Sequence, residues 1–243
     1  MDLSFISDNF NKIFGSVSSE SKSRHGLKRI GLDRFGYGKD CPDLAEISAR
    51  LDDLKEKHPI DTINWESLTY KPSVTFSMAY SDREIFIKYY VRERYVKAEM
   101  SAINQDVFRD SCVEFFVSPG DDNLYYNFEF NSIGTFLVGS GTGRNNSKRI
   151  DPSVTGKIRC LPSLGFTPFA EREDIDEWTL TIAIPVTVFI RHKIEELKGK
   201  EFRANFYKCG DDLTVPHYLS WNPVLTDKPD FHRPEYFGLI KFL

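Results

Sequence analysis

Between Arg109 and Thr135 the chain reads RDSCVEFFVSPGDDNLYYNFEFNSIGT, and the strict alternation on both sides of its turn predicts a β-hairpin. In the second half, Leu124, Tyr126, Phe128 and Phe130 share one face, and Tyr125, Asn127, Glu129 and Asn131 share the other. Successive side chains of a strand point to opposite faces, so the first set is a core wall. The first half divides the same way, with Val113, Phe115 and Val117 opposite Cys112, Glu114 and Phe116. A solvated sheet face more often carries Lys and Thr. A row of Glu, Asn, Glu and Tyr predicts a surface for a polar ligand.

The same period recurs along the chain. Residues 73–80 and 84–91 form a hairpin around Ser81, Asp82 and Arg83, and 134–140 continues the meander. Trp178, Leu180, Ile182 and Ile184 alternate with Thr179, Thr181 and Ala183 until Pro185 stops the strand. In 201–209, Phe202, Ala204 and Phe206 oppose Arg203, Asn205 and Tyr207, and EYFGLIKFL closes the chain as a last strand. Two helices are expected. One carries Leu44, Ile47, Leu51 and Leu54 at helical spacing, is capped by Asp40 or Asp43, and ends at His58-Pro59. The other, minor one spans 186–198 and is closed by Gly199. Residues 1–40 are rich in Ser, Gly and charge and read as a lead-in segment, leaving 41–243 as the domain. About ten short strands without alternating helices exclude a parallel α/β fold. They predict an all-β, jelly-roll-like antiparallel β-sandwich, in keeping with an aromatic content of 14%.

A net charge of −4 argues against a nucleic-acid partner. No window approaches the roughly 20 apolar residues of a membrane span. The opening MDLSFISDNFNKIF lacks an apolar signal region, so a cytoplasmic protein is expected, with a secreted or periplasmic one as the alternative if a signal has been removed. Cys41, Cys112, Cys160 and Cys209 are far apart and read as reduced, partly buried thiols. Oligomeric state is not legible. The Gly-rich stretch GSGTGRNNSKR, 139–149, lacks phosphate-loop spacing.

Ser220, His217 and Asp227 have no nucleophile elbow around them, and His217 and His232 lack the short spacing of paired zinc ligands. No cofactor is expected, with a structural calcium at Asp121 and Asp122 or at Asp211 and Asp212 as the alternative. Glu114 and Glu129 can project from neighbouring strands, which leaves a glycoside hydrolase open as a second reading.

Aromatic rings beside Asn, Glu and Arg suit a sugar, whose C–H faces stack while its hydroxyls seek planar donors and acceptors. Trp65, Trp178 and Trp221 are core positions first. Eight segments run in order over about three-quarters of the chain: IDTINW (60–65), VRERYVKAE (91–99), RDSCVEFFVSPG (109–120), YYNFEFNSIGT (125–135), WTLTIAIP (178–185), RANFYKCGDD (203–212), PHYLSWNP (216–223) and FHRPEYFG (231–238). With these the chain resembles the family 9 carbohydrate-binding modules, especially their stand-alone Bacteroides-type members. The resemblance implies a jelly-roll-like sandwich that binds sugar without cleaving it, gripping a glycan end between two aromatic platforms.

Carried onto this chain, it implies hydroxyl contacts from Glu93, Glu114, Asn127 and Glu129, with Arg203 and Asn205 beside them. It implies stacking by Phe231 together with Tyr207 or Trp221. The first platform falls at Val107, and Phe108 would point away from the site in a regular strand. The expected function is recognition of a mono- or oligosaccharide. The alternatives are the hydrolase and an interaction protein that has lost the sugar site.

Overall fold

The computed structural model describes residues 26–37 and 42–243. Its first half contains β1 (Arg29–Arg34), α1 (Leu44–Asp52), β2 (His58–Pro59), β3 (Thr62–Ile63), β4 (Ser73–Tyr80), β5 (Glu84–Arg92), β6 (Val96–Ala98), β7 (Cys112–Ser118) and β8 (Tyr125–Asn131). There follow β9 (Phe136–Gly141), β10 (Lys148–Arg149), α2 (Pro152–Thr155), β11 (Arg159–Pro162), β12 (Phe169–Arg172), β13 (Glu177–Pro185), β14 (Glu201–Cys209), β15 (Tyr218–Ser220) and β16 (Gly238–Phe242).

Two sheets face each other as a β-sandwich. One runs β10, β9, β8, β7, β14, β16 and β1, and the other runs β1, β4, β5, β13 and β11. They share β1. Arg29 to Leu32 pair with β16, and Asp33 and Arg34 pair with β4. Both pairings of β1 are parallel, while every other ladder among the described residues is antiparallel. Residues 29–34 therefore belong to the domain, although 1–40 was expected as a lead-in: Ile30 and Leu32 are buried in the core between the sheets. Residues 1–25 of that segment lie outside the described residues.

The core follows the alternation. Val113, Phe115 and Val117 of β7 meet Tyr126, Phe128 and Phe130 of β8 and Phe202, Ala204 and Phe206 of β14 between the sheets. Phe206 stacks on Phe76 of the opposite sheet at 3.8 Å between ring centroids and on Phe115 at 5.0 Å. Each such ring contributes roughly 1.5–3 kcal/mol through burial.

Asp43 caps α1, accepting from the backbone N–H of Ala45 and Glu46. Ile47 and Leu51 seat the helix on Ala79, Phe86 and Ala183, on the outer face of the second sheet. The helix stops at Asp52, and His58-Pro59 pairs with β4 instead of ending a helix. The expected helix at 186–198 is a single 3₁₀ turn, Val186–Val188. Its run of Val, Thr, Val, Phe and Ile is poor in helix formers, and the Tyr126 hydroxyl accepts the Arg191 N–H at 2.8 Å, fixing an irregular path. The minor helix of the fold is the single-turn α2, capped by Asp151.

Candidate functional site

The face of β7, β8 and β14 turned away from the sandwich core is the polar one, and it is not bare. Every residue of β7 and β8 is buried. A second apolar cluster, with Trp65, Val107, Phe116, Tyr125, Tyr207 and Phe231 among its members, roofs that face with segments 99–111 and 221–237. The roof leaves a cleft with a cavity volume of about 110 Å³.

Glu114 and Glu129 line the cleft, together with Cys209 and Asp211. The two Glu residues sit directly opposite one another in the β7–β8 ladder, so their side chains leave the same sheet face. Facing residues of an antiparallel pair hold their Cβ atoms about 4.5–5.5 Å apart. Glu114 Oε1 accepts from the Cys209 thiol at 3.1 Å, and Glu129 Oε1 accepts from Asn127 Nδ2 at 2.8 Å. The second carboxyl oxygen of each is buried and has no partner. Burial, reinforced by the neighbouring Glu129, holds the Glu114 carboxyl far above the ordinary carboxylate range. Burial also pushes Glu129 up to about 7. At neutral pH the pair is therefore not fully ionised, and it can donate as well as accept.

Aromatic walls flank this floor. Phe231 lines the cleft and stacks on Tyr207 at 4.0 Å and 13°, while the Tyr207 hydroxyl donates to the Phe231 carbonyl at 3.1 Å. Phe108 also lines it. The expectation that Phe108 points away presumed a strand, and the segment is instead a 3₁₀ turn, Val107–Arg109, to which alternation does not apply. Val107 is packed inside, whereas Phe108 is part of the cleft wall. Asp110 anchors the turn: its Oδ2 accepts from the Met100 N–H at 2.9 Å and from Asn131 Nδ2 at 2.9 Å.

Polar groups complete the rim. Arg144, from the Gly-rich segment, donates to Asp230 at 3.2 Å. His232 bonds the Tyr125 hydroxyl through Nδ1 at 2.7 Å. Burial, helped by Arg144, lowers its pKa to about 4 and keeps the ring neutral. Burial raises both Asp211 and Tyr218.

Of the residues expected at the site, Glu114, Glu129 and Phe231 line the cleft. Asn127 and Tyr207 support them from beneath. Asn127 also accepts from Ser147 Oγ at 3.0 Å, and it lies so close to Gly139 that a Cβ there would fall 2.5 Å from its amide oxygen. The other four lie elsewhere. Glu93 is on the core side, where it accepts from Trp178 Nε1 at 2.8 Å and pairs with Lys208 at 2.8 Å. Lys208 alternates with Tyr207 and Cys209, so its partner must lie on the opposite face.

Lys208 also donates to His217 Nε2 at 2.9 Å, while His217 Nδ1 donates to the Val215 carbonyl at 3.1 Å. Burial and Lys208 push His217 down to about 2, so it is a neutral acceptor. Trp221 packs in the core against Phe76 and Phe206. Asn205 is spent on the Asn222 backbone. Arg203 pairs in register with Ser118, four positions and about 13 Å along the ladder from the carboxyl pair.

Sequence reasoning did not place Asp211, Tyr218, Asp230, His232 or Arg144 at a sugar site, weighing Asp211 and His232 only as metal ligands. All five come from loops or strand ends folded over the sheet face, where no period marks them.

The chain was compared with known proteins. The model of carbohydrate-binding family 9 matches residues 46–242. A crystal structure of a protein from Bacteroides uniformis ATCC 8492, assigned as carbohydrate-binding, is 39% identical with a TM-score of 0.84, covering 89% of this chain and 100% of that one. A family 9 carbohydrate-binding module from Caldicellulosiruptor kristjanssonii in complex with glucose has a TM-score of 0.55 at 14% identity, covering 89% of this chain and 96% of that one. A family 9 carbohydrate-binding module from the same organism in complex with cellotriose gives a TM-score of 0.56 at 14% identity, covering 88% of this chain and 93% of that one. At that identity the likeness concerns the fold. No curated protein matches the chain.

Proposed function

The chain belongs to carbohydrate-binding family 9, and from that premise we propose that it binds a mono- or oligosaccharide in the Glu114–Glu129–Phe231 cleft without cleaving it. One observation carries the reading: two buried carboxyls with unpartnered oxygens form the floor of a cleft whose walls include Phe108 and Phe231. A sugar ring meets both demands. Its C–H face covers the aromatic rings, and its hydroxyls bond the carboxyls of Glu114 and Glu129 that line the cleft. The glucose and cellotriose in the complexes of family 9 modules from Caldicellulosiruptor kristjanssonii support the same class of ligand.

Binding fits the geometry better than hydrolysis does. Glycosidases place their two carboxyls on either side of the scissile bond. Here both rise from adjacent strands of one sheet face, so a sugar lying on them meets both from the same side.

A thermal-shift screen against a sugar panel tests the proposal. A ligand at about 100 times its Kd adds roughly 2.7 kcal/mol to stability and raises Tm. The rise is expected to vanish in Phe231→Ala, and also in the nearly isosteric Glu114→Gln should the first variant fold poorly. Turnover of a chromogenic glycoside that is lost in Glu114→Gln would instead establish a hydrolase. Silence across the whole panel would refute sugar binding.

A further inference from the structure

Resting on that reading, we infer that the cleft selects sugars bearing a protonated amine over neutral ones, because three of its carboxyls, Glu114, Glu129 and Asp211, are ion-paired with no cation of the protein among the described residues. Glu114, Glu129 and Asp211 line the cleft, and none of them makes an ion pair among the described residues. The nearby cations are all engaged. Arg144 is held by Asp230, Arg109 by Asp212, and Arg149 by Asp106. Lys208 faces the core with Glu93. His232, the remaining basic side chain on the cleft wall, is kept neutral by its burial.

The unpartnered oxygens give this charge imbalance a direction. Glu114 and Glu129 are 3% and 4% exposed, and each has a buried second oxygen without a donor. In the free protein these groups avoid mutual repulsion by keeping protons. A neutral sugar leaves that arrangement as it is. An ammonium offers three N–H donors and the missing positive charge, so it can bond the carboxyl pair where the pair lines the cleft while the carboxyls ionise. Hydrogen bonds between two charged groups are about twice as strong as those between neutral ones. The aromatic walls require that the amine be carried on a ring with an apolar face, which a simple alkylamine lacks. An amino sugar of the hexosamine class combines the two.

The test is calorimetric titration of the full chain at about neutral pH with glucosamine, glucose and N-acetylglucosamine, repeated with the galactose-configured set. N-Acetylation keeps the ring and removes the charge. The amine-bearing sugar is expected to bind on the order of ten- to a hundredfold more tightly than either neutral counterpart. Glu129→Gln, whose folding is checked by its Tm, should bring the three close to parity. Equal or tighter binding of the neutral sugars would overturn the amine preference and leave sugar binding intact. A preference unchanged in Glu129→Gln would overturn it too. Should that variant not fold, the acetylated and free amines compared on the unaltered chain decide alone. No binding of any sugar, including neutral oligosaccharides, would overturn both readings.

Discussion

Glu129 and Glu114 face one another across two strands with no counter-charge, and the fold therefore decides whether they ionise. A carboxyl pushed up to about 7 in the folded chain but near its ordinary value when unfolded binds its proton more tightly in the native state. Its contribution to stability is full below the unfolded value of about 4.3 and is lost as pH rises through about 7. The buried histidines act in the opposite sense. His232 and His217, lowered to about 4 and about 2, destabilise the fold as pH falls below about 6.5, where the unfolded chain takes up protons more readily. The raw stability profile is therefore a sum of opposing slopes, and Glu129→Gln isolates one of them. Relative to the unaltered chain, the variant should gain about 3 kcal/mol between about pH 4 and pH 7. Urea unfolding of both proteins at each pH checks it, and a flat difference would place the titration elsewhere.

At the scale of elements, the turn Val107–Arg109 shows how a site is made from a segment that touches little of it. Asp110 satisfies two buried donors, the Met100 N–H and Asn131 Nδ2, and so ties the turn to the end of β8. Asp110→Ala should cost about 1–3 kcal/mol for each donor left unpaired, and it should weaken sugar binding although Asp110 does not line the cleft. Denaturant titration and affinity measured on the same variant test both effects. Phe108→Ala, by contrast, removes a half-buried ring and should cost binding more than stability.

These elements also explain what could be read in advance. The faces of β7, β8, β13 and β14 were legible because alternation is local, and Glu114 and Glu129 fell on the correct side with them. The position of Phe108 was not, since the bonds that turn the chain at Asp110 come from residues far along it. Glu93 and Trp221 were misplaced for a related reason. A side chain near a strand end is assigned to a face only by its tertiary partner, here Lys208 for Glu93 and Phe206 for Trp221. The run at 186–198 mimicked a helix by its spacing of apolar residues, while its β-branched content opposed one.

For the whole molecule, β1 is the strand on which the sandwich depends, and it lies in a segment that composition alone makes look dispensable. RIGLDR offers only two alternating apolar residues, and its partners are the last strand of the chain and β4. Among the described residues it is the one strand that both sheets share, so its loss opens two edges at once. Backbone groups of β16 would lose their ladder along Leu239 to Phe242, and the burial of Ile30 and Leu32 would be forfeited. Burial alone accounts for roughly 1.5–3 kcal/mol per residue. Two such residues together with the lost ladder amount to a large share of the 5–15 kcal/mol typical of a folded domain. A chain beginning at residue 42 is therefore expected to show no cooperative thermal transition, whereas the full chain unfolds in one. Leu32→Asp in the full chain attacks the same junction without shortening it and should lower Tm sharply. If the shortened chain melts cooperatively and still binds its sugar, β1 is an accessory strand, and the two sheets are held together by the side chains packed between them.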